Sequence, residues 1–220
     1  VADGFVTIAN SLIGESPERS ITADGKFALG FPGGEEINAK VVVTDWPMAD
    51  MKHAFGLDAW PVDATIAKAA LELKGPYRGP FGAGTLRLER GVAWGESFPF
   101  ATGDLAFEGA GLRVNRIEMS KGTGVVRGAA WIGWDGRYSF DADGDRIPVE
   151  ALDRFKVDVA PLTGLLKFRA EGAGEFSSPQ YEFEGTIADL SVGDEGVGFV
   201  RGRVVASNNV LAFDVSATSS

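Results

Sequence analysis

The chain contains no cysteine. Disulfides and thiolate metal sites are therefore excluded, while an oxidising compartment is permitted without being required. Its single histidine is His53, within Met51-Lys52-His53-Ala54-Phe55 and far from any nucleophile motif. A Ser-His-Asp triad has no footing there, and a solvated or capping role is the reading of that residue. Gly-x-Ser-x-Gly and Walker A sequences are absent. No run of about 18 apolar residues occurs, so no segment reads as a transmembrane helix. Positive charge is scarce: 31 acids stand against 21 bases, a net charge of −10. Nucleic acid and anionic membrane surfaces are repelled on average, and no Lys/Arg cluster reverses that.

What is abundant is glycine, at 30 residues, within a chain of 220 that is 45% hydrophobic and 24% charged. That composition fits a folded protein with a large core. Short segments alternate apolar with polar residues: 26–31, 85–89, 104–108, 112–114, 137–141, 166–169 and 181–184. Such alternation predicts strands with one buried face, and the glycines predict turns, bulges and bends between and within them. Two short helices are expected where proline leads an amphipathic stretch, at 47–55 and at 148–155, the second with Asp145 as a candidate cap. Each is too short to stand without packing, and each is expected to plug one end of a sheet unit.

The chain also repeats itself. Gly84-Thr85-Leu86 returns as Gly185-Thr186-Ile187, and Pro47 … Phe55 returns as Pro148 … Phe155; both offsets are 101 residues (185 − 84, 148 − 47). A shorter echo sets Gly122-Thr123-Gly124-Val125-Val126-Arg127-Gly128 against Gly196-Val197-Gly198-Phe199-Val200-Arg201-Gly202. After each copy come a strand, a turn (Asp135-Gly136 or Asn208-Asn209) and a strand ending Phe140-Asp141 or Phe213-Asp214. Repeats on this scale mean units stacked side by side. The expected division is 1–35 as leading strands, 36–141 as a first unit and 142–220 as a second, with the soft boundary at 31–36. The chain opens in mid-pattern at Val1 without an initiating Met or signal peptide, and is expected to be a piece of a longer polypeptide.

Other constellations carry little chemistry. Asp141-Ala142-Asp143-Gly144-Asp145 starts like a calcium loop, but Arg146 and Leu152 occupy the positions where such a loop needs Gly and Glu; a solvated turn is expected instead. Glu182 and Glu184 share one side of a strand and read as a solvent face. The Gly-x-Gly pairs do not continue as a dinucleotide-binding fingerprint. Trp131 and Trp134 could line a sugar platform, though packing is the favoured role.

Residues 66–114 and 162–215, with their short Pro-led helices, glycine turns and G-x-L strands, resemble the repeating β-rich region of TamB/AsmA-like proteins of diderm bacteria. The resemblance implies an all-β, mainly antiparallel fold: an elongated, curved amphipathic sheet, called a β-taco or repeating β-groove. It also implies a periplasmic protein anchored in the inner membrane, carrying phospholipid acyl chains between membranes, with an outer-membrane β-barrel as partner through its flanks. No cofactor, metal or enzymatic step is implied. The apolar phase of the alternation names the expected lining: Leu86, Leu88, Leu105, Phe107, Leu112, Val114, Leu166, Phe168, Tyr181, Phe183, Leu211 and Phe213. The same residues would equally fill a closed β-sandwich or barrel. Two other functions remain open at this level: a β-augmentation module that accepts client strands of outer-membrane proteins, and a carbohydrate-binding β-sandwich.

Overall fold

A computed structural model describes the chain except residues 1–3, 17, 31–34, 55, 157–159, 208–209 and 219–220, and except the side chains of Asn10 and Glu15. Among the described residues thirteen strands follow one another: β1 (Phe5–Ser16), β2 (Arg19–Ala28), β3 (Ile37–Pro47), β4 (Val62–Gly75), β5 (Phe81–Ala93), β6 (Glu96–Glu108), β7 (Gly111–Lys121), β8 (Gly124–Gly133), β9 (Arg137–Pro148), β10 (Leu162–Glu175), β11 (Tyr181–Val192), β12 (Glu195–Ser207) and β13 (Val210–Thr218). They form one sheet in sequence order, with every ladder antiparallel. β1 and β13 do not pair with each other, so the sheet is open rather than a closed barrel or a sandwich. The 101-residue offset superposes β4 on β10 and β5 on β11. The expected cut between residues 141 and 142 falls inside β9, whose hydrogen bonding runs unbroken across it.

Register divides the side chains between two faces. Paired residues point the same way, so rows can be followed across strands. One row reads Val41–Leu71–Gly84–Leu105–Val114–Ala130–Phe140–Gly172–Tyr181–Ala206–Leu211. Its neighbours carry Leu88–Ala101–Met119–Val126–Gly144–Phe168–Gly185 and, further along, Phe183–Val204–Phe213. These rows are apolar from strand to strand, and the one charge in their phase on β7 is Lys121. The opposite face carries a charge ladder, Glu118–Arg127–Asp143–Arg169–Glu184–Arg203–Asp214, alternating in sign at every strand from β7 to β13. Such exposed pairs are each worth about 0.2–1 kcal/mol, so they favour the register more than they add stability.

Large residues on the apolar face sit beside glycines on the next strand. A Cβ at Gly144 would fall 2.1 Å from the Phe168 ring, and one at Gly172 would fall 2.7 Å from Phe140. The rings lie flat over backbone that only glycine leaves bare.

The sheet rolls toward this apolar face. The Trp94 ring, in the turn after β5, lies 5.9 Å from that of Phe140 in β9; four strand spacings in a flat sheet would hold their backbones about 19 Å apart. The bending has a local cause. Every second strand from β5 to β11 has one extra residue against at least one neighbour, β5 against β4, β7 against β6 and β8, β9 against β10, and β11 against β10 and β12; left-handed Arg90, Arg116, Arg146 and Asp189 lie at these places, with φ of 52, 49, 50 and 52°. Bulges of this kind bend and twist the strand that carries them. Arg90 pairs with Asp45 and Arg146 with Asp145, each at 3.4 Å, and Arg116 pairs with Asp104.

The long connections β3–β4 and β9–β10 lie at the same end of the sheet. The first forms α1 (Met48–Ala54), which buries Met48 and packs Met51 near Val43, Ile66, Leu88 and Phe98; Phe55 lies outside the described residues. The second is not the expected helix. It forms two separate 3₁₀ turns, Val149–Ala151 and Asp153–Phe155, with Leu152 extended between them. A segment this short takes the shape its packing dictates: Val149 is buried against the sheet, and the Glu96 carboxylate claims the Asp153 and Arg154 N–H groups, so the two turns are held separately. Asp145 does not cap them; Pro148 occupies the cap position without a side-chain bond. The solvated turn expected at 141–145 is also absent, since these residues continue β9.

Gly144→Ala should lower the urea midpoint by the equivalent of about 1–3 kcal/mol, because the ring of Phe168 must leave its seat. Gly196→Ala, with open space around the new Cβ, should change it by less than about 0.5 kcal/mol. Equal midpoints for the two variants would contradict the ring-on-glycine packing.

Candidate functional site: the rolled apolar face and its strap

All twelve residues expected to line a groove lie on the apolar face. Their surroundings differ along the sheet. Leu88, Leu105, Val114 and Leu166 are buried, and Leu88 and Leu166 belong to the two packed cores. Leu86, Phe107, Leu112, Phe168 and Phe183 are half-buried, with the Phe168 and Phe183 rings stacked at 5.1 Å. Tyr181, Leu211 and Phe213 are exposed, Phe213 at 75%. Between β5 and β10 the face is thus largely filled by its own side chains, and toward β13 it opens to solvent. A separate cleft of about 1010 Å³ borders β2–β5, touching Gly25, Ala39, Leu71 and Leu73 but none of the twelve.

The filled part is covered by residues 149–156, which cross from β9 to β6. The first turn of this strap is fixed by packing: Val149 is 1% exposed beside Ile147, Leu166 and Val126. Its second turn buries no residue and is held by charge. The Glu96 carboxylate accepts the N–H groups of Asp153 (2.7 Å) and Arg154 (3.0 Å). The Asp153 carboxylate accepts the N–H (2.7 Å) and hydroxyl (2.5 Å) of Ser97 and binds Lys156. Lys121, only 5% exposed, donates to Ser97 O at 2.6 Å and lies 3.0 Å from both Glu96 and Asp153. Arg154 completes the latch by donating to Trp94 O at 2.8 Å.

These contacts hold Asp153 far below the usual carboxylate range: Lys156, the Ser97 hydroxyl and N–H, and Lys121 outweigh desolvation. Burial pushes Glu96 up, but the Asp153 N–H, Lys121 and the Arg154 N–H outweigh it, and its carboxyl also ends below its ordinary value. The sequence pointed to a covering segment at 148–155, expected as a helix; its charged latch was not foreseen. Its one signal was Lys121, a lysine in the phase of the alternation that otherwise faces the core.

The remaining sequence candidates do not converge. His53 meets Asp58 at 3.3 Å on the exposed side of α1. Glu182 and Glu184 are both approached by Arg203, at 2.6 and 3.6 Å. Trp131 covers Gly111 and Gly133 on the charged face, whereas Trp134 stacks on Phe107 of the apolar face and donates to Gly109 O at 3.0 Å. The two tryptophans therefore form no common platform. Asp141, Asp143 and Asp145 lie on the charged face of β9, with Asp143 opposite Arg127 and Arg169. No group of three or more metal-ligating side chains occurs among the described residues. No helix among them is long and apolar enough to cross a membrane.

No family model, no curated protein and no solved structure matches this chain.

Asp153→Asn should cost about 1.5–3 kcal/mol at pH 7, the scale of hydrogen bonds to a charged group. A carboxylate with a depressed folded pKa stabilises above its unfolded pKa and loses that contribution as pH falls. Wild-type stability should therefore decline below about pH 5, and Asp153→Asn should show a shallower decline, so the two curves converge in acid. Parallel curves would remove Asp153 from the latch.

Proposed function

We propose that this chain is a non-enzymatic section of a lipid-carrying groove, in which phospholipid acyl chains lie along the apolar face of the sheet. The observation that carries this reading is the unbroken apolar face, rolled toward itself and ending in exposed Leu211, Phe213 and Val215. Isolated exposed hydrophobics are ordinary, but a row continuous with a core marks a surface that receives an apolar partner. An acyl chain there gains about 0.8 kcal/mol per buried CH₂ without directional bonds, so it can slide along the strands. The net charge of −10 and the charge ladder keep the outer face in water. The resemblance to TamB/AsmA-like repeats points the same way, toward a periplasmic path between two membranes.

Occupancy is expected first over β11–β13, where the lining is open, and beneath the strap only if its second turn lifts. Lipid extracted from the chain purified out of a diderm bacterium should appear in near-stoichiometric amount. Phe213→Asp should reduce it severalfold, while Glu182→Ala on the charged face leaves it unchanged. A lipid-free protein, or equal losses in both variants, would overturn the proposal.

A further inference from the structure

On the outer face the charge ladder has a defect. From β7 to β13 each member stands opposite one of the other sign. Followed the other way, the same row reads Glu118–Thr102–Arg87–Lys68–Thr44. Lys68 and Arg87 are therefore like charges directly opposite on neighbouring strands, an arrangement that destabilises a sheet. Glu89 engages Arg87 from the same strand, accepting from Nε at 3.1 Å and Nη2 at 3.0 Å. Lys68 makes no ion pair among the described residues.

A third base is brought to the same place. The bulge in β7 sets left-handed Arg116 against Asp104 of β6. Lys68, Arg87 and Arg116 border a hollow of about 400 Å³, together with Asp104 and the hydroxyl-bearing Thr85 and Thr102. Neither threonine side chain bonds to another described residue. Asp104 is taken by Arg116 and Glu89 by Arg87, which leaves the charge of Lys68 unanswered in a chain of net charge −10. The bases stand at 68, 87 and 116, on three different strands, so the cluster exists only in the fold.

Departures from a fold's own pattern concentrate at functional positions. An anion in the hollow would supply the acid that the ladder lacks here and turn a repulsion into charge-assisted hydrogen bonds. We propose that this hollow binds a phosphate group, free or carried by a lipid headgroup. Arg87 offers a planar fork, Lys68 a point charge, and Thr85 and Thr102 their hydroxyls. The tetrahedral oxygens of phosphate suit donors that arrive from several strands better than a flat carboxylate does. The site lies on the face opposite the trough, so it stands or falls independently of the acyl-chain reading.

Calorimetric titration of the full chain with inorganic phosphate, at ionic strength held constant with chloride, is one arm of the test. Cosedimentation with phosphatidylglycerol vesicles is the other. Free phosphate should bind saturably and raise the urea midpoint. Lys68→Gln should weaken binding by about tenfold, the scale of one hydrogen bond to a charged group. Lys68→Glu completes the alternation: its midpoint should exceed that of the wild type without phosphate, and phosphate should no longer move it. Both variants relieve a repulsion, so their loss of binding would not come from misfolding. Binding in the vesicle arm alone, lost in Lys68→Glu, would assign the phosphate to a lipid headgroup. No binding in either arm, binding that survives Lys68→Glu, or a Lys68→Glu midpoint below that of the wild type would each overturn the proposal.

Discussion

A sheet with one continuous apolar face has to remove that face from water, and without a second layer it can do so only by bending over itself. Here the bend rests on contact between aromatic rings and bare glycine backbone. Phe168 over Gly144 and Phe140 beside Gly172 let the strands approach without losing apolar area. The extra residue in every second strand supplies the turn of direction. Neither device suffices alone: bulges without the glycine seats would crowd the inner face, and seats without bulges would leave a flat sheet with its lining wet.

The two long connections finish this work at one end of the sheet, and each is tied down by a lysine. Lys52 donates to Trp60 O and Val62 O at 3.0 and 2.9 Å, fixing the segment after α1. Lys121 donates to Ser97 O and joins the carboxylates that hold the strap. The difference lies in what lies beneath. α1 covers a packed core, whereas the outer half of the strap rests on charged contacts alone. Partly exposed charged contacts stabilise less than a packed core, so the outer half of the strap is the least firmly held part of the cover.

The strands and their faces were legible in the sequence because period-2 alternation is a local signal: Leu86/Leu88, Phe168 and Phe183 declare their phase within a few residues. Pro47 and Pro148 marked the long connections for the same reason. The second helix was misread because the amphipathic spacing of Leu152 and Phe155 takes no account of Glu96, fifty-odd residues upstream, whose carboxylate claims the Asp153 and Arg154 N–H groups. The bulges were invisible since arginine at a left-handed position has no compositional mark; Arg90, Arg116 and Arg146 read as ordinary outward-facing charges. How far the lining is filled was also beyond alternation: Leu105 and Leu211 carry the same pattern, yet one is 6% exposed and the other 57%.

The rolled trough stands or falls on a contact that no flat sheet can make. A nuclear Overhauser measurement between the Trp94 indole and the Phe140 ring tests it, with the adjacent-strand pair Phe168–Phe183, at 5.1 Å, as internal reference. Rolling predicts cross-peaks for both pairs, since the Trp94 and Phe140 centroids are 5.9 Å apart. A reference peak without the Trp94–Phe140 peak would show a sheet that does not curl, and with it would fall the groove.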